Sequence, residues 1–147
     1  MSIVDRLNED MKAALKSGDK VRLNTIRWLR ARLKDAQIEL GRELTDEDAI
    51  SVLSNAAKKH RESIQMYKQG GRDDLVAQES AELAIIQQYL PEQLSQEDLE
   101  KIITEVIQEV NATSLKDMGK VMGKVMQQVR GRADGKQVQQ IVRNRLQ

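Results

Sequence analysis

The sequence predicts an all-α protein with an N-terminal four-helix bundle-like domain at residues 1–90 and a small three-helix tail domain at residues 91–147. The apolar residues are Leu, Ile, Val, Ala and Met, with no Phe, a composition that suits helix packing better than sheets. One Pro and eight Gly leave few of the turns that a chain of many strands requires. Apolar residues also recur at steps of three and four along most of the chain.

Capping residues and glycines divide the first 90 residues into four helices. We expect these helices from Ser2 to Ser17, from Lys20 to about Leu40, from Thr45 to Gly70 and from about Asp73 to Tyr89. The apolar seam of the second helix is Ile26, Leu29, Leu33, Ala36 and Leu40. Short connections favour an antiparallel bundle. Pro91 disfavours helix at the residue before it and marks the domain boundary.

The tail is expected to hold three helices that begin at Ser95, Ser114 and Asp134. Three residue types recur every four residues in the middle helix, so each forms one strip along it. The methionine row is Met118, Met122 and Met126, the lysine row is Lys116, Lys120 and Lys124, and the glycine row is Gly119 and Gly123. Because Met and Lys lie about 200° apart around the axis, we expect Met in the core and Lys outward.

Charge is unevenly distributed along the tail, although the whole chain carries only +1. Residues 92–113 hold one basic and six acidic residues, whereas residues 114–147 hold eight basic and two acidic ones. The last 34 residues therefore carry a net charge of +6. This asymmetry predicts that the C-terminal part faces an anionic partner.

Several classes of protein are excluded by what the chain lacks. With no Cys there is no disulfide framework, thiolate nucleophile or Cys-type zinc site. The N-terminus is not a secretory signal peptide, and no stretch approaches the roughly 20 apolar residues of a membrane span. We therefore expect a soluble cytoplasmic protein without a membrane partner.

No metal, cofactor or catalytic residue is assigned from the sequence. Asp46, Glu47 and Asp48 are clustered where a helix begins, which is typical of capping rather than metal binding. His60, the only histidine, falls on the apolar seam of the third helix and is expected to lie in or beside the core.

Three segments carry a family resemblance: YLPEQLS at residues 89–95, DMGKVMGKVM at 117–126 and GRADGK at 131–136. In order and spacing they resemble the GatB/YqeY family, and the N-terminal bundle is similar to that of its free-standing YqeY-type members. The tail of this family also ends the B subunit of the glutamine-dependent Asp/Glu-tRNA amidotransferase, where it holds the tRNA body away from the chemistry. The resemblance thus implies a tRNA partner, and an amidotransferase or an aminoacyl-tRNA synthetase as a possible second partner.

The residues do not supply a complete amidotransferase. Releasing ammonia from glutamine requires a Cys with its base or a Ser activated by Lys, and neither site is recognisable. No GxxxxGK[ST] segment is present to hold ATP. Participation in carbon–nitrogen ligation with glutamine as amido-N-donor, as an accessory or catalytic subunit, remains an alternative that rests on the resemblance.

The leading hypothesis is nucleic-acid binding by the tail. Lysines spaced about 6 Å apart along a helix can follow a phosphate backbone, and glycines let that backbone come close. The candidate residues are Lys116, Lys120, Gly123, Lys124, Arg130, Arg132 and Lys136. The N–H groups near Gly135 could bind a further phosphate. Two alternatives stay open: a solvated lysine face, and a glycine strip that packs on another helix.

A helical protein-interaction adaptor is the second hypothesis. The second helix is rich in arginine, and Lys58, Lys59 and Arg61 surround His60 on the third. Trp28 lies off the apolar seam, so it either packs on a neighbouring helix or anchors a partner. The sequence does not determine the oligomeric state.

Overall fold

The computed structural model describes all 147 residues and contains seven α-helices and no strand, which confirms the all-helical prediction. The helices are α1 (Ile3–Ser17), α2 (Lys20–Leu40), α3 (Asp46–Gln69), α4 (Asp73–Gln87), α5 (Gln96–Glu109), α6 (Met118–Val129) and α7 (Gly135–Leu146). A one-turn 3-10 helix, Leu115–Asp117, precedes α6. Contacts between helices divide the chain into two compact units, Met1–Leu90 and Pro91–Gln147. None of the helices has the length and apolar composition that crossing a membrane requires.

Side-chain caps explain where the helices of the first unit begin. The Ser2 hydroxyl accepts a hydrogen bond from the Asp5 N–H (3.1 Å), and Thr45 and Asp48 form a reciprocal capping box. Asp46 accepts from the Ile3 N–H (3.1 Å) and so connects the start of α3 to the start of α1. Asp46 and Asp48 of the acidic cluster therefore cap helices, as the sequence predicted.

The core of the first unit lies between α1, α2, α3 and α4. Its most deeply buried large side chains are Leu7, Ile26, Leu29, Leu53 and Ile86. Tyr89 is 2% exposed, and its hydroxyl donates a hydrogen bond to Asp10. Burial raises the pKa of this tyrosine.

The predicted seam of α2 is only partly correct. Ile26, Leu29 and Leu33 are buried, but Leu40 is 49% exposed. Leu40 is the last residue of α2, directly before the Gly41 C-cap, so it lies beyond the buried part of the seam.

The core of the second unit corrects the prediction for the methionine row. Three valines lie along the middle of the inward face of α6. Val121, Val125 and Val129 are all 0% exposed. Met118, Met122 and Met126 are only half-buried and flank that row. The valines repeat with the same four-residue step, so the period alone did not distinguish the two rows.

This arrangement predicts that the smaller side chain matters more for stability. Val125→Ala should lower the free energy of unfolding by about 2 kcal/mol, since it removes two fully buried methyl groups and leaves a cavity. Met122→Ala should lower it by less than about 1 kcal/mol, because solvent already reaches Met122. Urea unfolding followed by circular dichroism checks the order of the two variants. A larger loss for Met122→Ala would contradict the inward orientation of the valines.

Candidate nucleic-acid interface

Burial of the valines determines which residues of α6 face outward. At 100° per residue, Gly123 lies about 160° around the axis from Val125, and Lys120 about 140° the other way. Gly119, Gly123 and Lys120 are all exposed. The predicted lysine and glycine strips therefore lie side by side on the outer surface of the helix.

The glycine strip has no neighbour within the second unit. A methyl group added at Gly119 or at Gly123 would meet no other atom within 4 Å. Two glycines in a helix interior cost roughly 1 kcal/mol each relative to alanine, and no packing contact of this chain offsets that cost. The alternative that the strip packs against another helix of the second unit is therefore excluded.

Lys116 does not continue the row formed by Lys120 and Lys124. It lies in the 3-10 turn before α6, where the Ser114 hydroxyl accepts from its N–H (3.4 Å). A 3-10 helix turns about 120° per residue instead of 100°, so the four-residue spacing between Lys116 and Lys120 is not that of a continuous α-helix. Lys116 is exposed just before the start of α6.

Two of the lysines have acidic neighbours that the sequence did not identify. Lys124 is half-buried and forms an ion pair with Glu109 of α5. Asp117 lies one turn before Lys120. The pKa of the Asp117 carboxyl group is lowered chiefly by the hydrogen bond that the Thr113 N–H donates to it (3.0 Å), and less by the charge of Lys120. Part of the positive charge of the row is thus offset inside the unit. The acidic run of residues 92–113, which includes Glu109, was the sequence signal for the pairing of Lys124.

The α6–α7 turn connects to the segment that precedes α5. The Leu94 N–H donates to the Arg132 carbonyl (2.8 Å), and the Gln93 side chain donates to the Gly131 carbonyl (2.8 Å). In return, Arg132 Nε donates to the Glu92 carbonyl (3.1 Å). Two segments that carry the family resemblance, near residues 91–95 and 131–136, therefore hold each other in place. Arg132, predicted to bind nucleic acid, has a structural role here.

The start of α7 differs from the predicted phosphate site. The Asp134 carboxylate accepts from the Lys136 N–H (3.3 Å) and places a negative charge where the phosphate was expected. A methyl group added at Gly135 would lie 3.9 Å from Met126 Cε, so this glycine also packs against α6. The capped end does not favour an anion.

The seven predicted residues fall into two groups. Lys116 lies in the 3-10 turn before α6, and Lys120, Gly123 and Lys124 lie within its first seven residues, whereas Arg130, Arg132 and Lys136 surround the α6–α7 turn. Lys120 and Arg130 are ten positions apart, or about 15 Å along the helix axis. The first group alone lies beside the open glycine strip.

Comparison with known proteins identifies relatives along nearly the whole chain. The family model described as Yqey-like protein matches residues 4–146. Three fungal proteins, each named "Altered inheritance of mitochondria protein 41, mitochondrial", are among the similar sequences. They come from Pyrenophora tritici-repentis (29% identical over 89% of this chain), Eremothecium gossypii (35% over 57%) and Lachancea thermotolerans (31% over 80%). The matches cover 73%, 46% and 66% of those proteins, respectively.

These relatives contradict the predicted cytoplasmic location, because their names place them in mitochondria. The sequence argument had excluded a secretory signal peptide and a membrane span. Neither absence distinguishes the cytoplasm from the interior of a mitochondrion. The prediction was wrong because it was based on features that proteins of both compartments share.

The open strip predicts that alanine stabilises the helix. Gly119→Ala and Gly123→Ala should each raise the free energy of unfolding by roughly 0.5–1 kcal/mol, since a methyl group fits without a clash. Gly131→Ala is the matched control: this glycine is buried with φ at +76°, so alanine there should destabilise the protein. Chemical unfolding of the three variants checks this. A loss of stability at Gly119 or Gly123 would mean that the strip is not open.

Proposed function

Because the chain belongs to the Yqey-like protein family, we propose that it is a tRNA-binding protein in which residues 91–147 form a three-helix tail domain that holds the RNA. Residues 1–90 form a separate four-helix bundle-like domain in this proposal. The similarity of the tail to that of the amidotransferase B subunit favours tRNA over other nucleic acids. The proposed role is binding, with no complete active site in this chain.

The observation that supports this proposal most is the open glycine strip beside exposed lysines. Gly119 and Gly123 leave bare backbone with free space above it, and Lys120 is exposed alongside. A phosphate chain can approach such a surface more closely than one covered by side chains, and the ammonium groups supply the charge. The fold of the second unit leaves room for alanine or a larger residue at both glycine positions.

Contacts with phosphates and recognition of shape fit this surface better than base reading. Residues 91–147 contain no Phe, Tyr or Trp on which a base could stack. Folded RNA is commonly recognised through its shape and its backbone. The lysine Nζ atoms near the start of α6 would contact phosphate oxygens, and Lys124 would have to exchange its contact with Glu109 for a phosphate.

Two other functions have weaker support. A protein-interaction adaptor had Trp28 as its candidate anchor, but the Trp28 ring packs edge-on against His60 of α3 (5.2 Å between centroids) and beneath Arg32. An accessory role in carbon–nitrogen ligation, beside an amidotransferase or an aminoacyl-tRNA synthetase, is supported only by the family resemblance. Glutamine-dependent amidation of misacylated tRNA by the isolated chain would establish the catalytic version of that role.

Titration with tRNA at several salt concentrations tests the proposal. The logarithm of the affinity should fall with the logarithm of salt concentration by roughly 0.7–0.9 per phosphate contact. Lys120→Gln should weaken binding and reduce that slope by about one unit, since it removes one contact. Glu109→Gln should instead strengthen binding, because it releases Lys124 from its ion pair.

Lys101→Gln serves as the matched control for the lost charge. Lys101 is an exposed lysine of α5 that pairs with Glu97, outside the candidate residues, so its loss should leave the slope nearly unchanged. No binding at low salt, or equal losses for Lys101→Gln and Lys120→Gln, would refute the proposed surface.

A further inference from the structure

A histidine and two glutamates meet in the first unit, outside the proposed RNA surface. His60 of α3 is 8% exposed, and its Nε2 lies 3.0 Å from a Glu82 carboxylate oxygen and 3.5 Å from one of Glu79. The two glutamates are one turn apart on α4 and are half-buried. The chain's only histidine thus directs one ring nitrogen at two carboxylates.

The other ring nitrogen determines the protonation of a neutral His60. Nδ1 lies 3.0 Å from the Ala56 carbonyl oxygen, which can only accept a hydrogen bond, so Nδ1 carries a proton. In the neutral ring, Nε2 then has a lone pair and no proton. A lone pair and two carboxylates repel one another, so a cation or a proton between them would stabilise this arrangement.

We propose that His60, Glu79 and Glu82 form a binding site for a divalent transition-metal ion. A hydrogen bond from Nδ1–H to a backbone carbonyl is the arrangement that commonly orients a metal-ligating histidine. For metal–ligand bonds of about 2.1 Å, neighbouring ligand atoms lie about 3.0–3.4 Å apart. The His60–Glu82 distance of 3.0 Å falls in that range, the His60–Glu79 distance of 3.5 Å lies just above it, and all three ligand atoms lie within 4.8 Å of one another.

The surroundings leave room for further ligands. A cleft of about 360 Å³ opens at the cluster, and Asn24, Ser63 and Lys59 contribute to its walls. Water molecules in this cleft can complete the coordination of the ion. One imidazole and two carboxylates favour Zn²⁺, Fe²⁺ or Co²⁺ over Mg²⁺ and Ca²⁺, which prefer oxygen ligands alone.

The competing arrangement has a proton in place of the metal. A doubly protonated His60 would donate to Glu82 and form a local ion pair with both glutamates. This arrangement satisfies the same charges without an ion, so direct measurement of metal binding distinguishes the two.

Trp28 provides the signal for that measurement. It is the only tryptophan of the chain, and its ring centroid lies 5.2 Å from that of His60. Titration of the full chain with Co²⁺ should quench its fluorescence to saturation at one equivalent. EDTA should reverse the quenching and Zn²⁺ should compete, whereas Mg²⁺ should not.

Two further measurements assign the site to these residues. Because His60 is the only histidine, its ring signals are identifiable by NMR in the unaltered protein, and Zn²⁺ should shift the Nε2 resonance far more than the Nδ1 resonance. Glu79→Gln/Glu82→Gln should weaken Co²⁺ binding by at least about 100-fold, more than is usual for the loss of an outer-shell partner. Glu97→Gln/Glu105→Gln removes the same charge from exposed positions of α5 and should leave binding unchanged.

Failure of the unaltered protein to show saturable quenching would overturn the metal site and leave the protonated arrangement. An unshifted Nε2 signal, or equal binding by the two double variants, would overturn it too. The NMR measurement needs no variant, so it decides the question even if Glu79→Gln/Glu82→Gln does not fold.

Discussion

The burial of Val121, Val125 and Val129 is the constraint on which the second unit depends. These side chains are 0% exposed and fix the rotation of α6 about its own axis. Because the valines face inward, the methionines lie at the edges of the core. Gly119, Gly123 and Lys120 lie on the opposite side of α6 and face outward. The candidate surface is therefore a consequence of core packing, and any change that rotated α6 would remove it.

Two of the three segments that carry the family resemblance, at residues 89–95 and 131–136, hold each other in place beside that core. Main-chain carbonyls of the α6–α7 turn accept from Gln93 and Leu94, and Arg132 returns a hydrogen bond to Glu92. Gly131 adopts φ of +76° at this turn, a conformation that side chains rarely permit. These residues hold the turn in shape, whereas Lys120 and the glycines of α6 have no structural partner of comparable strength. The structural roles and the proposed binding role thus fall to neighbouring parts of the second unit.

Much of the fold follows from local signals in the sequence. Ser2, Thr45 and Ser95 cap helices as their types predict, and Gly18 and Gly41 end them in the left-handed conformation. Periodicity placed His60 on the apolar seam of α3, and this residue is buried. For Trp28, periodicity left two alternatives open; its ring packs against His60 but stays 37% exposed.

What the sequence could not predict depends on contacts between distant residues. The Lys124–Glu109 ion pair joins residues 15 positions apart, and the Gln93–Gly131 hydrogen bond joins residues 38 apart. His60 and Glu82 likewise come from different helices, so no spacing motif reveals their cluster. The choice between Met and Val as the inward row also required the partner helices, since both rows repeat every four residues.

The affinity of Gly123→Gln for tRNA tests the central claim most directly. Glutamine is a good helix former and carries no charge, and the space above Gly123 is empty, so α6 should keep its fold and its electrostatics. If RNA approaches the bare backbone, the added side chain should block it and reduce affinity at least about tenfold, with the protein as stable as before or more so. If the Gly123→Gln variant bound tRNA as tightly as the unaltered chain, that result would contradict the claim that the glycine strip is where RNA is held.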